Sequence, residues 1–205
     1  MDKNGTLSSD KHMKATKSLC LVLLIIFLLD TFLLVPKGVK IFSVAHLIDG
    51  DKTGFLTQNL KLITSKVMHG QIWRPLTSMF LHAGLVHIIF NLVCLANLGA
   101  VLEHMIGGRK FFLFFLLSGL FSAVCMMVLT GIEDGLGAST GIFGLFGVLL
   151  VLLMRNSRAV LAGIRPLNWI LFAVMVIAGN ATDNITRLEH LTGTIGGVLL
   201  GLLMF

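Results

Sequence analysis

The stretch GASTGIFGLFGVLLVLLMR, residues Gly137 to Arg155, decides what kind of molecule this is. Between Ala138 and Arg155 it carries no charge, its polar groups are confined to Ser139 and Thr140 at its head, and glycines recur at Gly141, Gly144 and Gly147. Such a segment is an apolar helix meant to be buried, in protein or in lipid. The rest of the chain settles which: 56% of the 205 residues are hydrophobic, only 13% are charged, and the mean hydropathy is +0.93. A soluble domain is about 25% charged. The chain therefore reads as an all-α membrane protein.

Apolar runs bounded by charges or turn residues fall at roughly 18–36, 83–102, 111–130, 139–154, 167–182 and 188–205, and a span needs about 17–25 residues. Six transmembrane helices are expected, the fourth and fifth short. The first run, SLCLVLLIIFLLDTFLLVP from Ser18 to Pro36, follows a lysine-rich segment as a secretory signal would. It exceeds the usual apolar region of about 7–15 residues and no small-x-small cleavage site follows closely, so it reads as a retained helix.

The net charge of +6 comes from 16 lysines and arginines against 10 acids. With the N-terminus inside, the inner segments hold Lys3, Lys11, Lys14, Lys17, Arg109, Lys110, Arg155, Arg158 and Arg165, whereas the outer short loops hold only Arg187. The other cations lie in the long first loop, which constrains orientation less. The basic excess thus expresses topology and not nucleic-acid binding. Residues 1–17 read as a cytoplasmic tail, 18–205 as one six-helix membrane domain, and 37–81 as a long extracytoplasmic first loop. Its stretch NLKLITSKVM mixes apolar and basic positions as an interfacial helix does. Cys20, Cys94 and Cys125 sit in apolar spans without metal spacing. No cofactor or metal is implied.

Glycines four apart let helices approach closely. Gly137, Gly141, Gly144 and Gly147 around the fourth span, with Gly193, Gly197 and Gly201 in the sixth, predict that these two spans touch. Both run inward from the outer side, which places Ser139 and His190 at similar depth. A serine hydroxyl becomes nucleophilic when a neighbouring base takes its proton, and a neutral imidazole can be that base. The unpaired N–H groups and positive potential of a helix N-terminus would favour a developing oxyanion. Each residue also has a plain reading, Ser139 as an N-cap and His190 as a polar group satisfied by a neighbouring helix.

The second span shifts the balance. His87 and Asn91, four apart in HAGLVHIIFN, share one face, and polar side chains at that depth default to a functional hypothesis. Both can donate to an oxyanion. His82 lies just outside this face, in a position to support the loop. A metal reading is weak, because no acidic residue accompanies the histidines at ligand spacing.

Three stretches, GQIWRPLTSMFLHAGLVHIIFNLVCLANLG, GASTGIFGLFG and EHLTGTIGGVLLG, resemble in order and spacing the signature regions of the rhomboid intramembrane serine proteases, over about residues 55 to 205. The resemblance implies a six-helix rhomboid-like bundle, a Ser–His dyad without an acidic third member, and cleavage of the transmembrane segments of other proteins within the lipid bilayer. By it, Ser139 is the nucleophile and His190 the base, and His87, Asn91 and the Ser139 N–H form the oxyanion hole. It implies structural roles for Trp73, Arg74 and Glu103. Phe143 is placed to pack on the histidine, or equally to serve as core. Many relatives carry glycine where Thr140 stands; a β-branched residue is strained only if that position needs a positive φ, and Thr140 suits a first helical turn.

Asp30, an acid inside the first span, is left unexplained by the resemblance. It is expected to reach a polar group in the first loop or a water-filled cavity. A six-helix form with no seventh span is similar to the common bacterial type, which points to the cytoplasmic membrane. Two rivals remain: a catalytically inactive relative that binds membrane helices as chaperone or adaptor, and a small transporter. The first typically lacks the serine or the histidine, and the second predicts charged or broken helices at the midplane, for which Asp30 alone speaks.

Overall fold

The computed structural model describes residues 13–33 and 54–205. Helix α1 (Lys14–Leu28) runs on into a π-helical turn at Leu29–Leu33. The described part of the first loop holds three short helices, α2 (Phe55–Leu60), α3 (Thr64–Met68) and α4 (Arg74–Thr77), the last passing into a 3-10 turn at Ser78–Phe80. The main bundle follows as α5 (Leu85–Ile106), α6 (Gly108–Thr130), α7 (Ser139–Arg155), a short α8 (Ser157–Gly163), α9 (Pro166–Gly179) and α10 (Asn184–Met204).

Among the described residues, three helices are long and apolar enough to cross a membrane: Lys14–Leu33, Leu85–Ile106 and Gly108–Thr130. The other expected spans are shorter, at 17 residues for α7 and 14 for α9, or carry charge near their start, as α10 does at Arg187 and Glu189. Two helices begin a full turn earlier than hydropathy suggests, and each has a carboxylate at its head. The backbone N–H groups of Ala15 and Thr16 both donate to Glu103 at 2.8 Å, so α1 starts at Lys14 and takes in part of the expected tail. The Asp183 carboxylate accepts from the N–H groups of Ile185 and Thr186, so α10 starts at Asn184 instead of near 188. His190 therefore lies about one turn further into its helix than the apolar run implies. Helix α8 occupies the connection between α7 and α9, which the hydropathy pattern leaves as loop. Residues 1–12 of the expected tail, 34–36 of the expected first span and 37–53 of the expected loop lie outside the described residues.

Helix α7 is the centre. It is apolar on all sides, is buried from Gly141 to Val151 except at Phe146 and Leu150, and packs on α5, α6 and α10. Because lipid tails are as apolar as leucine, helices in a membrane gain by close packing instead of by leaving water, and glycine supplies it here. A Cβ on Gly197 would strike the Gly144 carbonyl, one on Gly193 the Thr140 carbonyl, and one on Gly147 the Thr194 carbonyl, while Gly201 lies against Val151. Residue pairs 140 and 193, 144 and 197, and 151 and 201 advance together, so α7 and α10 are parallel, and the predicted contact is found. Two of the glycines do other work. Gly141 faces Phe115 of α6, and Gly137 precedes the helix in a left-handed conformation with φ +128°, which glycine alone adopts readily.

Candidate active site

Ser139 is the first residue of α7. The N-cap position is Ala138, and no side chain caps the helix, so Ser139 does not play the capping role that a serine at a helix head usually does. Its approach is fixed from the first loop. Leu62 and Gly135 exchange backbone hydrogen bonds of 2.8 and 3.0 Å, the Thr64 N–H and hydroxyl both donate to Ile132 O, and the Gly137 N–H donates to Ser78 O at 3.0 Å. Ser65 donates through both its N–H and its hydroxyl to Glu133. These bonds hold the Glu133 carboxyl below the usual carboxylate range. Arg74, buried, donates from Nη1 to Lys61 O and from Nε to Gln71 Oε1, each at 2.6 Å. The arginine thus braces the residue next to the Leu62–Gly135 pair, a structural role as expected. Trp73 is half exposed.

One cleft of about 550 Å3 brings together all four residues singled out by sequence: Ser139 from α7, His190 from α10, and His87 and Asn91 from α5. Its remaining walls are mostly apolar, among them Phe90, Ile142, Phe143 and Met175. The His190 ring lies flat on Phe143, with centroids 4.0 Å apart and planes within 10°. Gly179, at the end of α9, leaves room for this stack: a Cβ there would sit 3.1 Å from Phe143 and 3.7 Å from His190. His190 is buried, and neither ring nitrogen has a hydrogen-bond partner among the described residues. Ser139 and His190 therefore face the same space without a hydrogen bond, the looser geometry common before substrate binds.

On α5, the Ala83 N–H approaches His87 Nδ1 at 3.5 Å. An N–H pointing at Nδ1 leaves the ring proton on Nε2. That nitrogen lies where Gly137 lacks a side chain, since a Cβ there would be 3.0 Å from Nε2 and 3.7 Å from Ser139 Oγ. His82 is buried with its ring edge against His87, centroids 5.0 Å apart, so the contact seen is with the neighbouring histidine and not a hydrogen bond to the loop. Asn91 donates to the His87 carbonyl at 2.9 Å and keeps a second amide hydrogen for other use. Thr140 sits in the first helical turn, the positive φ being at Gly137, so the departure from glycine carries no backbone strain.

Glu103 and Asp30 have parallel structural roles. Glu103 accepts the Thr16 hydroxyl at 2.7 Å besides the two N–H groups already named. Asp30 accepts from Leu56 N–H, Thr57 N–H and the Thr57 hydroxyl at 2.7, 3.1 and 2.5 Å, and so reaches the first loop, the first of its two expected destinations.

Sequence reading passes over several residues. Glu189 lines the main cleft and also a second cavity of about 20 Å3 shared with Ser78, Ser122 and Thr140; its place directly before His190 was the available signal. Ser118 and Ser122 lie one turn apart in an apolar span: Ser118 donates to Phe114 O of its own helix and packs against Gly144, whereas Ser122 joins α6 to α10, donating to Glu189 O at 2.9 Å and lying 2.8 Å from the Thr192 hydroxyl. Asn97 of α5 and Asn168 of α9 pair through their side chains at 2.5 Å. An asparagine inside an apolar helix is costly when unpaired, and that cost is the clue to both.

A family model described as the rhomboid domain matches residues 69–205. Among curated proteins, the chain is similar to the rhomboid protease GluP of Bacillus subtilis (strain 168), 30% identical over 171 residues that cover 82% of this chain and 33% of GluP. It is similar to RHOMBOID-like protein 7 of Arabidopsis thaliana, 31% identical over 157 residues covering 76% of this chain and 50% of that one. Rhomboid-like protease 3 of Toxoplasma gondii is 29% identical over 134 residues, 63% of this chain and 51% of the relative. The chain thus spans between a third and about half the length of these relatives, and the residues matched by the family model include all three signature stretches. A family model covering most of the chain, on a helical bundle whose apolar faces suit a bilayer, shows that the chain belongs to the rhomboid family of intramembrane proteases.

Proposed function

We propose that this protein is an intramembrane serine endopeptidase that cuts the transmembrane segments of other membrane proteins, using Ser139 and His190 as a dyad. The observation that carries the reading is the one cleft shared by Ser139, His190, His87 and Asn91, with both His190 nitrogens buried and without a hydrogen-bond partner among the described residues. As Ser139 Oγ attacks the scissile carbonyl carbon, His190 takes the hydroxyl proton. The carbonyl oxygen becomes an oxyanion that accepts from His87 Nε2–H, the Asn91 amide and the Ser139 N–H. His190 then gives its proton to the leaving amine, the C–N bond breaks, and an acyl ester on Ser139 remains. Water added to that ester, with His190 again as base, releases the acid. The second cavity adjoins the nucleophile through Gly137 and Thr140, and at about 20 Å3 it has room for about one water.

The bundle is taken to span the bilayer six times with its N-terminus inside, α7 and α9 being short spans, in a bacterial cytoplasmic membrane. Residues 18–205 then form the membrane domain and 37–81 its outer loop. Substrate segments weakened by small residues near the cut would be favoured, because an intact helix hides its carbonyls.

Labelling by a serine-reactive fluorophosphonate tests this without a known substrate. Wild type should label, and Ser139→Ala and His190→Ala should not. Absence of labelling in folded wild type, beside a relative that labels, would favour the inactive helix-binding reading.

A further inference from the structure

His82 is a buried polar side chain with no part in the mechanism above. It is 5% exposed, and neither ring nitrogen makes a hydrogen bond among the described residues. A buried donor or acceptor left without a partner costs about 1–3 kcal/mol, and an apolar ring would fill the same space without that cost. Burial, and after it the neighbouring His87, hold the His82 pKa well below the usual histidine value, against a smaller opposing pull from the Phe80 backbone. The ring is therefore neutral, with one N–H to donate and one lone pair to accept.

The surroundings say where that N–H can go. The ring stands edge-on to His87, with centroids 5.0 Å apart and planes 67° from parallel. His82 does not line the catalytic cleft, so it acts on the reaction through His87. It also lies on the segment that joins the two sides of the site. The 3-10 turn Ser78–Phe80 just ahead of it holds the Gly137 N–H through Ser78 O at 3.0 Å, and the residue just after it, Ala83, points its N–H at His87 Nδ1 from 3.5 Å. That separation is long for a hydrogen bond, and the lone pair on Nδ1 is only weakly held by it.

We propose, resting on the reading of Ser139 and His190 as a dyad, that His82 is a positioning residue for His87. A rotation of the His82 ring brings its N–H onto His87 Nδ1 as the oxyanion forms, while His87 Nε2–H donates to the oxyanion. The three groups then form one chain, in which each hydrogen bond strengthens the next. A nitrogen that accepts does not carry the ring proton, so the same contact keeps the His87 proton on Nε2. No proton changes owner along this chain, and His190 remains the base.

The kinetics of fluorophosphonate inactivation of the full-length chain in detergent test this, because the phosphonyl oxygen takes the place of the oxyanion. His82→Phe keeps a ring against His87 and removes the donor. Its limiting inactivation rate should fall about tenfold, less than the roughly 10²–10³ that follows outright loss of an oxyanion donor. The half-saturating reagent concentration should not change, and the unfolding temperature should hold or rise. His82→Gln, which carries an amide N–H, should recover most of the rate, as a purely structural role would not predict. His82→Leu, also without a donor, serves if the phenylalanine variant does not fold. Equal limiting rates in wild type and the donor-free variant, a loss that His82→Gln does not recover, or a loss of rate matched by a fall in unfolding temperature would overturn the proposal and leave the dyad standing. A folded wild type that does not label would overturn both.

Discussion

The contact of α7 with α10 and that of α5 with α9 differ in kind. Along the first, glycines at 144, 147, 193 and 197 put backbone against backbone, and no side chain can slide or repack between them. Along the second, a cavity of about 330 Å3 lies between Val86, Ile89 and Val93 on one side and Leu171 and Val174 on the other. The two helices are joined by the Asn97–Asn168 pair at one end. Of the residues of α9, only Phe172, Met175 and Gly179 are buried. The half of the bundle that carries Ser139 and His190 is rigid because it is made of small residues, and the half that would have to admit a peptide is loose because it is made of large ones.

Gly197→Val strikes at the rigid half. The added side chain meets the Gly144 carbonyl, which cannot move without shifting α7, so a loss of about 3 kcal/mol or more is expected, read as a large fall in thermal unfolding temperature together with loss of fluorophosphonate labelling. Asn97→Leu separates the halves in a different way. It breaks the clasp to α9 and should cost about 1 kcal/mol, in the range of interhelical hydrogen bonds in membranes, with labelling retained.

Asp183 tests the N-terminal end of α10 in the rigid pair, where it caps the helix. Its carboxyl is held below the usual range by the Thr186 N–H, and then by the Thr186 hydroxyl. A depressed folded pKa gives stability that is present above the unfolded value, about 3.9, and is lost as pH falls through the folded one. Asp183→Ala should cost about 1 kcal/mol at pH 7, and the gap to wild type should close below about pH 4; a gap that widened on acidification would remove the cap from the account. The smallest effect on stability is expected in the loose half: Val174→Trp enters open space and should change stability by under about 0.5 kcal/mol while slowing cleavage of a membrane substrate. If Val174→Trp destabilised as much as Gly197→Val, the contrast between the halves would fail.

What could be read in advance follows the same division. The apolar spans, the α7–α10 contact and the grouping of Ser139, His190, His87 and Asn91 were legible because each leaves a periodic or depth-dependent mark along a single helix. The starts of α1 and α10 were not, because Glu103 lies far along the chain from the N–H groups it caps and Asp183 stands outside the apolar run. Gly137 and Gly141 fit the glycine period yet serve a turn and a different neighbour, since spacing says that a residue is small without saying what approaches it. The Asn97–Asn168 clasp needed both partners in view, and either residue alone looks like an isolated cost.

The Leu62–Gly135 pairing, the Gly137 N–H on Ser78 and the Arg74 brace on Lys61 all act on the few residues ahead of Ser139. Ordering a loop costs about 1–2 kcal/mol of backbone entropy per residue, and here that cost is met once, when the chain folds, with the first loop as the template. On the proposed function, nothing in the segment has to be reorganised when a peptide arrives, so the penalty would be absent from every turnover. A first-loop substitution far from Ser139 would then act as an entropic defect: it would slow catalysis by letting the approach to the serine fluctuate, while every group in the cleft kept its chemical identity.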